Sequence, residues 1–470
     1  MLFREQLYEV QRVALTKAHL KAGFAYFMEM GLGKTRTVYH EQYELFGLDE
    51  IDVGIILCPK SLRATWLDEA EEIGFPYPVI AFDGTWQQMR AKIDAARKES
   101  GFVMVVIHYD IVLTKGGDLI EDLINSKLRL YMALDESTRI KNPKAKVGKY
   151  LHAIKHQIAY RRTLSGAPNP QGPHDLWGQF NFLDILKGQN FYQYRSTYCK
   201  MGGFQMKKIV GAQNIDILEQ RTGDNVFRAK KSDWTDLPEK LPPVIRQIEM
   251  APRQLHAYKT MLQDFVTEWG DVEITAKMAI TAKGKLAQIG SGFMYDNDGN
   301  VVHLFESGER NPKLEDLIAA LEERETSCIV FYNFRPTRQM LEDRLTEAKM
   351  DFITIPSGLS DEEAAALKKA FNTADRKTVA LCQVAAVKYG WTLIGDQDVM
   401  PCHSVLFYEN SYDYEARIQG EDRPHRHGQR FPVDYTDFAI SQEDRNIIKA
   451  LIRKEGLTEA VLSEFTYRRQ

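Results

Sequence analysis

Short β-branched or apolar runs alternate with helix-length segments along almost the whole chain, and this alternation leaves few folds open. The runs fall at 24–28, 53–58, 79–82, 102–107, 128–134 and 158–164, and again at 327–332, 352–355, 378–381, 404–407 and 433–438. Parallel neighbours need a crossover, and crossover helices bury both faces of the sheet, so such strands read as continuous apolar runs. The expected fold class is α/β, with two lobes, each a mostly parallel sheet flanked by helices. Between the two series, Pro238, Pro242 and Pro243 fall within six residues and stop helices and central strands. The boundary is placed near residue 240, giving lobes 1–240 and 241–470. Leu255, Tyr258, Leu262, Phe265 and Trp269 recur at helical spacing and predict an amphipathic helix. Asp296-Asn297-Asp298-Gly299-Asn300 predicts a hairpin turn. Together these make a helical and hairpin insertion over about 250–310 of the second lobe.

Composition removes several classes of function. Lys plus Arg is 61 against 65 Asp plus Glu, a net charge of −4, which excludes a tail-driven polycation but permits a compact basic surface. With 44% hydrophobic and 27% charged residues, the chain is not disordered. No run approaches the roughly 18 apolar residues of a membrane span. Residues 1–12, MLFREQLYEVQR, carry charges where a signal peptide needs its apolar core. A cytoplasmic protein without membrane association is expected. Cys58, Cys199, Cys328, Cys382 and Cys402 are too far apart for a zinc site or a disulfide framework.

The sharpest local signal is Met28-Glu29-Met30-Gly31-Leu32-Gly33-Lys34-Thr35, between a predicted strand and a predicted helix. Gly31 and Gly33 allow the tight turn that points N–H groups at phosphates, around Leu32. Lys34 is the candidate ligand of the β/γ-phosphates of ATP, and Thr35 of Mg²⁺. The helix N-terminus adds partial positive charge. Met28 stands where the usual pattern has its first glycine. About a hundred residues on, Asp135-Glu136 follows a strand; Asp135 is the candidate metal carboxylate and Glu136 the group that polarises water. Arg423 and Arg426, three apart and so on one face if helical, are candidate arginine fingers facing a cleft between the lobes.

In this order the elements resemble the Swi/Snf-type ATPases of helicase superfamily 2, DEAD/DEAH-box-like. Gln11, 20 residues before Gly31, sits where that family reads adenine. Residues 29–35 look like motif I, and 56–62 with Trp66 like motif Ia. Asp135-Glu136-Ser137-Thr138-Arg139-Ile140-Lys141-Asn142 resembles motif II, Leu164-Ser165-Gly166-Ala167-Pro168 motif III, and 419–429 motif VI. Ser137 and Thr138 replace the usual Ala and His. In 385–393, the counterpart of motif V, Gly390 and Leu393 are kept and Thr392 replaces an asparagine. The resemblance implies two RecA-like lobes, with ATP and Mg²⁺ as cofactors and Gly390 among the nucleotide contacts. It implies DNA-stimulated hydrolysis and translocation along a duplex, in a compact phage or bacterial form that works as a monomer.

From 137 to 215 there are 13 Lys or Arg residues against Asp175 and Asp184, a concentration suited to a phosphate backbone. Lys144, Lys146 and Lys149 are the main candidates. Lys60, Ser61 and Arg63 after the second strand, and Lys388 in the second lobe, are further ones. Duplex DNA is the expected partner, with single-stranded DNA or RNA as alternatives and any protein partner unidentified. Two functions compete: a DNA-dependent ATPase that translocates, and an ATP-gated binding switch with slow hydrolysis and no net motion.

Overall fold

The computed structural model describes residues 7–465 apart from 204, 206, 207, 236, 265, 270, 271, 276–278, 307 and 385–390. The chain divides into two units, Met1–Asp236 with Lys454–Gln470, and Leu237–Arg453. Residues 454–470 therefore group with the first unit, whereas the proline-based boundary assigns them to the second. Phe180 and Phe465, in the first unit's core, have ring centroids 6.2 Å apart.

The first unit is built on β1 (Gly23–Met28), β2 (Val53–Cys58), β3 (Val79–Ala81), β4 (Val103–His108), β5 (Leu130–Asp135) and β6 (Tyr160–Leu164). A small antiparallel hairpin follows, β7 (Cys199–Gly202) with β8 (Lys208–Ala212), and then β9 (Val226–Ala229). The main sheet runs β3-β4-β2-β5-β6-β1-β9, and every pairing in it is parallel. Every residue of β1, β2 and β5 is buried, as expected of strands covered on both faces. The strands expected in this unit are all present, with boundaries moved by up to two residues.

The second unit contains β10 (Val244–Gln247), β11 (Val266–Trp269), β12 (Val272–Thr275), β13 (Phe293–Tyr295), β14 (Val301–His303), β15 (Ser327–Tyr332), β16 (Asp351–Ile355), β17 (Thr378–Gln383), β18 (Gly395–Asp396), β19 (Met400–Phe407) and β20 (Asp434–Ala439). Its sheet runs β10-β20-β19-β15-β17-β16 in parallel, with β18 antiparallel to β19. The expected α/β class with parallel sheets holds for each unit.

Two parallel strands of the main sheets, β9 and β10, carry no clear sequence signal, and both lie at a sheet edge. Arg228 interrupts the apolar run of β9, and the prolines at 242 and 243 precede β10. An edge strand has one neighbour, so it tolerates such residues. The amphipathic helix runs from Pro252 to Asp264 and does not continue to Trp269, because Val266–Trp269 pairs antiparallel with β12. Phe265 lies outside the described residues. The hairpin turn forms as expected: β13 pairs with β14, and Asp296 Oδ1 accepts the N–H groups of Asp298 and Asn300 at 2.9 and 2.7 Å.

Candidate nucleotide and nucleic-acid site

In the first unit β1 ends at Met28 and, after a five-residue loop, the helix Lys34–Gly47 begins. The intervening loop needs two left-handed residues, and glycines supply them: φ is +86° at Gly31 and +76° at Gly33. Gly33 has a second constraint. A Cβ there would stand 1.9 Å from Gln11 Nε2. Gln11 is fully buried. Its amide nitrogen donates to the carbonyls of Leu32 and Gly33, both at 3.4 Å, while its Oε1 accepts the N–H of Tyr8 at 2.9 Å. The expected adenine reader thus braces the loop. The Lys34 ammonium reaches back over the loop, donating to Met28 O at 2.8 Å and Glu29 O at 3.4 Å.

The acidic pair stands at the end of β5, two strands from β1 in the same sheet. Both carboxylate-bearing residues are buried. Asp135 Oδ2 accepts from the Trp66 indole at 2.9 Å, and Oδ1 accepts the N–H of Glu136 at 3.0 Å. Tyr109 Oη donates to the Asp135 carbonyl at 2.8 Å. Burial raises the Asp135 pKa above the ordinary aspartate value, and the Trp66 hydrogen bond and the Lys34 charge pull it back. That opposition places the phosphate-loop lysine within electrostatic reach of Asp135. Glu136 is a non-glycine residue in the left-handed region, φ 48° and ψ 56°. Ser137, next in the chain, bonds to Leu164 O and to Gln179 Oε1.

Three positions here were not among the expected site residues, or not in these roles. Trp66 was legible only as part of motif Ia; its role as the Asp135 donor links residues 69 apart. Lys231 follows the unexpected strand β9 and is almost fully buried; its N–H donates to Glu29 Oε2 at 2.8 Å, and its Cε lies 3.6 Å from where a Gly31 Cβ would be. Gln179 carries no sequence signal of its own. Thr35, the candidate metal ligand, is half-buried on the first turn of the helix.

In the second unit the helix Tyr414–Glu421 ends before the arginine pair, so Arg423 and Arg426 lie in turns and not on one helical face. Arg423 is fully buried; Nε donates to Gln419 O at 2.6 Å and Nη1 to Trp391 O at 2.8 Å. Arg426 is half-buried, with Nε 3.2 Å from Asp422 O and Nη1 3.5 Å from Thr392 Oγ1. The two differ in surroundings because the helix stops at Glu421 and the chain carries both arginines in irregular turns. Gly390 and Lys388 lie outside the described residues.

The basic stretch sorts itself by burial. Lys144, Lys146 and Lys149 are exposed around the start of the helix Lys146–Ile154, and Lys60 and Ser61 are exposed on the turn after β2. Arg63 is half-buried and donates to Phe82 O at 3.4 Å. Three of the 13 basic residues belong to the interior instead. Lys155 pairs with Asp184 at 2.7 Å, Arg161 donates to the carbonyls of Lys155 and Ile158, and Arg162 pairs with buried Glu41 at 2.6 Å. These three are taken up by contacts within the unit. Tyr192 is exposed, whereas Tyr198 is buried and accepts from Arg221 at 2.8 Å.

A family model described as the SNF2-related domain matches residues 15–295. The ISWI chromatin-remodeling complex ATPase CHR11 of Arabidopsis thaliana is 24% identical, over 93% of this chain and 40% of its own length. The transcription regulatory protein SNF2 of Saccharomyces cerevisiae is 22% identical, over 90% of this chain and 25% of its own. The human DNA annealing helicase and endonuclease ZRANB3 is 25% identical, over 85% and 35%. The chain thus spans well under half the length of these relatives. A solved SWI2/SNF2 ATPase core of Sulfolobus solfataricus in complex with dsDNA is similar over 99% of this chain and 98% of its own, at 20% identity and a TM-score of 0.42.

Proposed function

The chain belongs to the SNF2-related family, and from that premise we propose that it is a DNA-dependent ATPase acting as a double-stranded DNA translocase or helicase. One observation carries the chemistry. A single sheet presents a phosphate loop with two left-handed glycines and, two strands away, a buried acidic pair whose Asp135 feels the charge of the loop lysine. DNA as the polymer draws its support from the family, from relatives named as acting on DNA, and from the exposed lysines of the first unit. The finer reading, a phage or bacterial member, rests on the sequence resemblance. No helix among the described residues is long and apolar enough to cross a membrane.

In this proposal the loop N–H groups and Lys34 bind the phosphates, and Glu136 accepts the proton of the attacking water. The Thr35 hydroxyl and the Asp135 carboxylate are the hard oxygen donors that Mg²⁺ takes. Each Asp135 oxygen already accepts one hydrogen bond and keeps a second lone pair, so the residues present suit the ion. Bound there, Mg²⁺ would neutralise phosphate charge. Arg426 supplies positive charge to the transferring phosphoryl group, and Gly390 and Lys388 contact nucleotide and DNA.

The test is steady-state hydrolysis titrated with duplex DNA, single-stranded DNA and RNA at stated salt, together with a triplex-displacement assay for movement. Low activity alone, clear stimulation by duplex and displacement of the third strand are expected. Equal turnover with and without every polymer would sink the motor reading. ATP-dependent DNA binding with slow hydrolysis and no displacement would identify the switch instead.

Two predictions belong to this site. Replacing Lys144, Lys146 and Lys149 with alanine should weaken duplex binding for all sequences alike. The dependence of log K on log salt should flatten by about 0.9 for each DNA phosphate that is no longer neutralised. An unchanged slope would remove these lysines from the DNA face. Separately, Asp135 must be ionised to act, so turnover falls as pH drops through its raised pKa. Trp66→Phe removes a hydrogen bond that stabilises the carboxylate, which raises that pKa further. The acid limb of kcat against pH should therefore move to higher pH in Trp66→Phe; a limb that stays or moves down contradicts the assignment.

A further inference from the structure

We propose that Gln179, acting through the Ser137 hydroxyl, is a positioning residue that holds Glu136 in place for hydrolysis; the proposal rests on the ATPase reading above. Gln179 lies in the helix Asp175–Leu183 and is fully buried, as is Ser137. Its Nε2 donates to Pro168 O at 2.7 Å and to Asp175 O at 3.0 Å. Those two bonds use both amide hydrogens and settle which way the amide faces. Oε1 is thereby turned to Ser137, whose Oγ lies 2.7 Å from it and 3.1 Å from Leu164 O. Oε1 can only accept, so the serine is the donor, and its single hydrogen goes to the nearer of its two acceptors, Gln179 Oε1. A single buried amide ties together the residue after Glu136, the loop that follows β6, and the start of the next helix.

The reason this matters is the backbone of Glu136. A non-glycine residue at φ 48° is held there only by what surrounds it. Upstream, Asp135 is anchored by Trp66 and caps the Glu136 N–H. Downstream, the anchor is Ser137. Deleting its hydroxyl leaves Gln179 Oε1 buried without its donor and frees one side of the strained residue, so the Glu136 carboxylate loses its fixed direction.

Ser137→Ala and Gln179→Leu, singly and together, test this by steady-state hydrolysis with saturating duplex DNA, nucleotide Kd and melting temperature. Each single change should lower kcat about tenfold while KM and Kd for ATP move less than about twofold. The double variant should lose no more than either single one, since both break the same bond. Ser137→Thr keeps the hydroxyl and should retain most of the turnover. If Gln179→Leu does not fold, Ser137→Ala and Ser137→Thr decide the matter between them. Unaltered kcat in Ser137→Ala, additive losses, or KM and kcat falling together with melting temperature would each overturn the positioning role. Absence of hydrolysis in the unaltered chain would overturn the ATPase reading, and this proposal with it.

Discussion

Glu136→Gln is expected to bind ATP and duplex DNA as the unaltered chain does and to turn over about 10²–10⁴-fold more slowly. The substitution is nearly isosteric, so the left-handed turn at φ 48° and the Asp135 cap on its N–H can both persist. What changes is the proton acceptor. An amide cannot take the water's proton, and no general base then replaces it. Nucleotide Kd and duplex-stimulated kcat, measured on the same preparation, give the answer. A Kd that weakens in step with kcat would make Glu136 part of ground-state binding, and a surviving kcat would dismiss it as the base.

Arg426→Ala is the second large effect. Arginine fingers in other systems are worth about 10³–10⁵ in turnover, so a loss of at least about a hundredfold is expected, with nucleotide Kd nearly unchanged. Arg423 is a poor substitute for it. That guanidinium is fully buried and committed to the carbonyls of Gln419 and Trp391, so its direct bonds serve the turn that carries Arg426. Arg426, half-buried and 3.5 Å from Thr392 Oγ1, is the member of the pair with accessible surface. The measurement is again a pair of numbers, Kd and DNA-stimulated kcat. Lys34→Ala offers the contrast, since its ammonium belongs to the phosphate loop and both numbers should deteriorate. Should Arg426→Ala behave like Lys34→Ala, the arginine acts in binding and not in turnover.

Some of this molecule could be read directly from the sequence, because the cause lies within a few residues. Gly31 and Gly33 announce a turn that only φ above zero can make, and both adopt it. Central strands such as Val53–Cys58 are apolar on both faces because parallel sheets leave no face in water. Asp135-Glu136 stood out because it ends such a strand about a hundred residues after the Lys34 loop. The order of these signals along the chain was enough to mark the family.

Other features depend on partners far away in sequence, and only the tertiary structure decided them. Arg161 and Arg162 look like any basic pair beside Lys144–Lys149, yet Arg162 is spent on Glu41, 121 residues earlier. The edge strand Val226–Ala229 is disguised by Arg228, whose charge is met by Glu459 at 2.7 Å. The expected single-face arginine pair became a turn because the helix stops at Glu421. Trp66 reaches Asp135 across 69 residues, and Gln179 reaches Ser137 across 42. Local rules act through dihedral preference and periodicity, which a window of residues contains. The neutralisation of a buried charge, or the bracing of a left-handed residue such as Glu136, depends on which distant side chain the fold brings within about 3 Å.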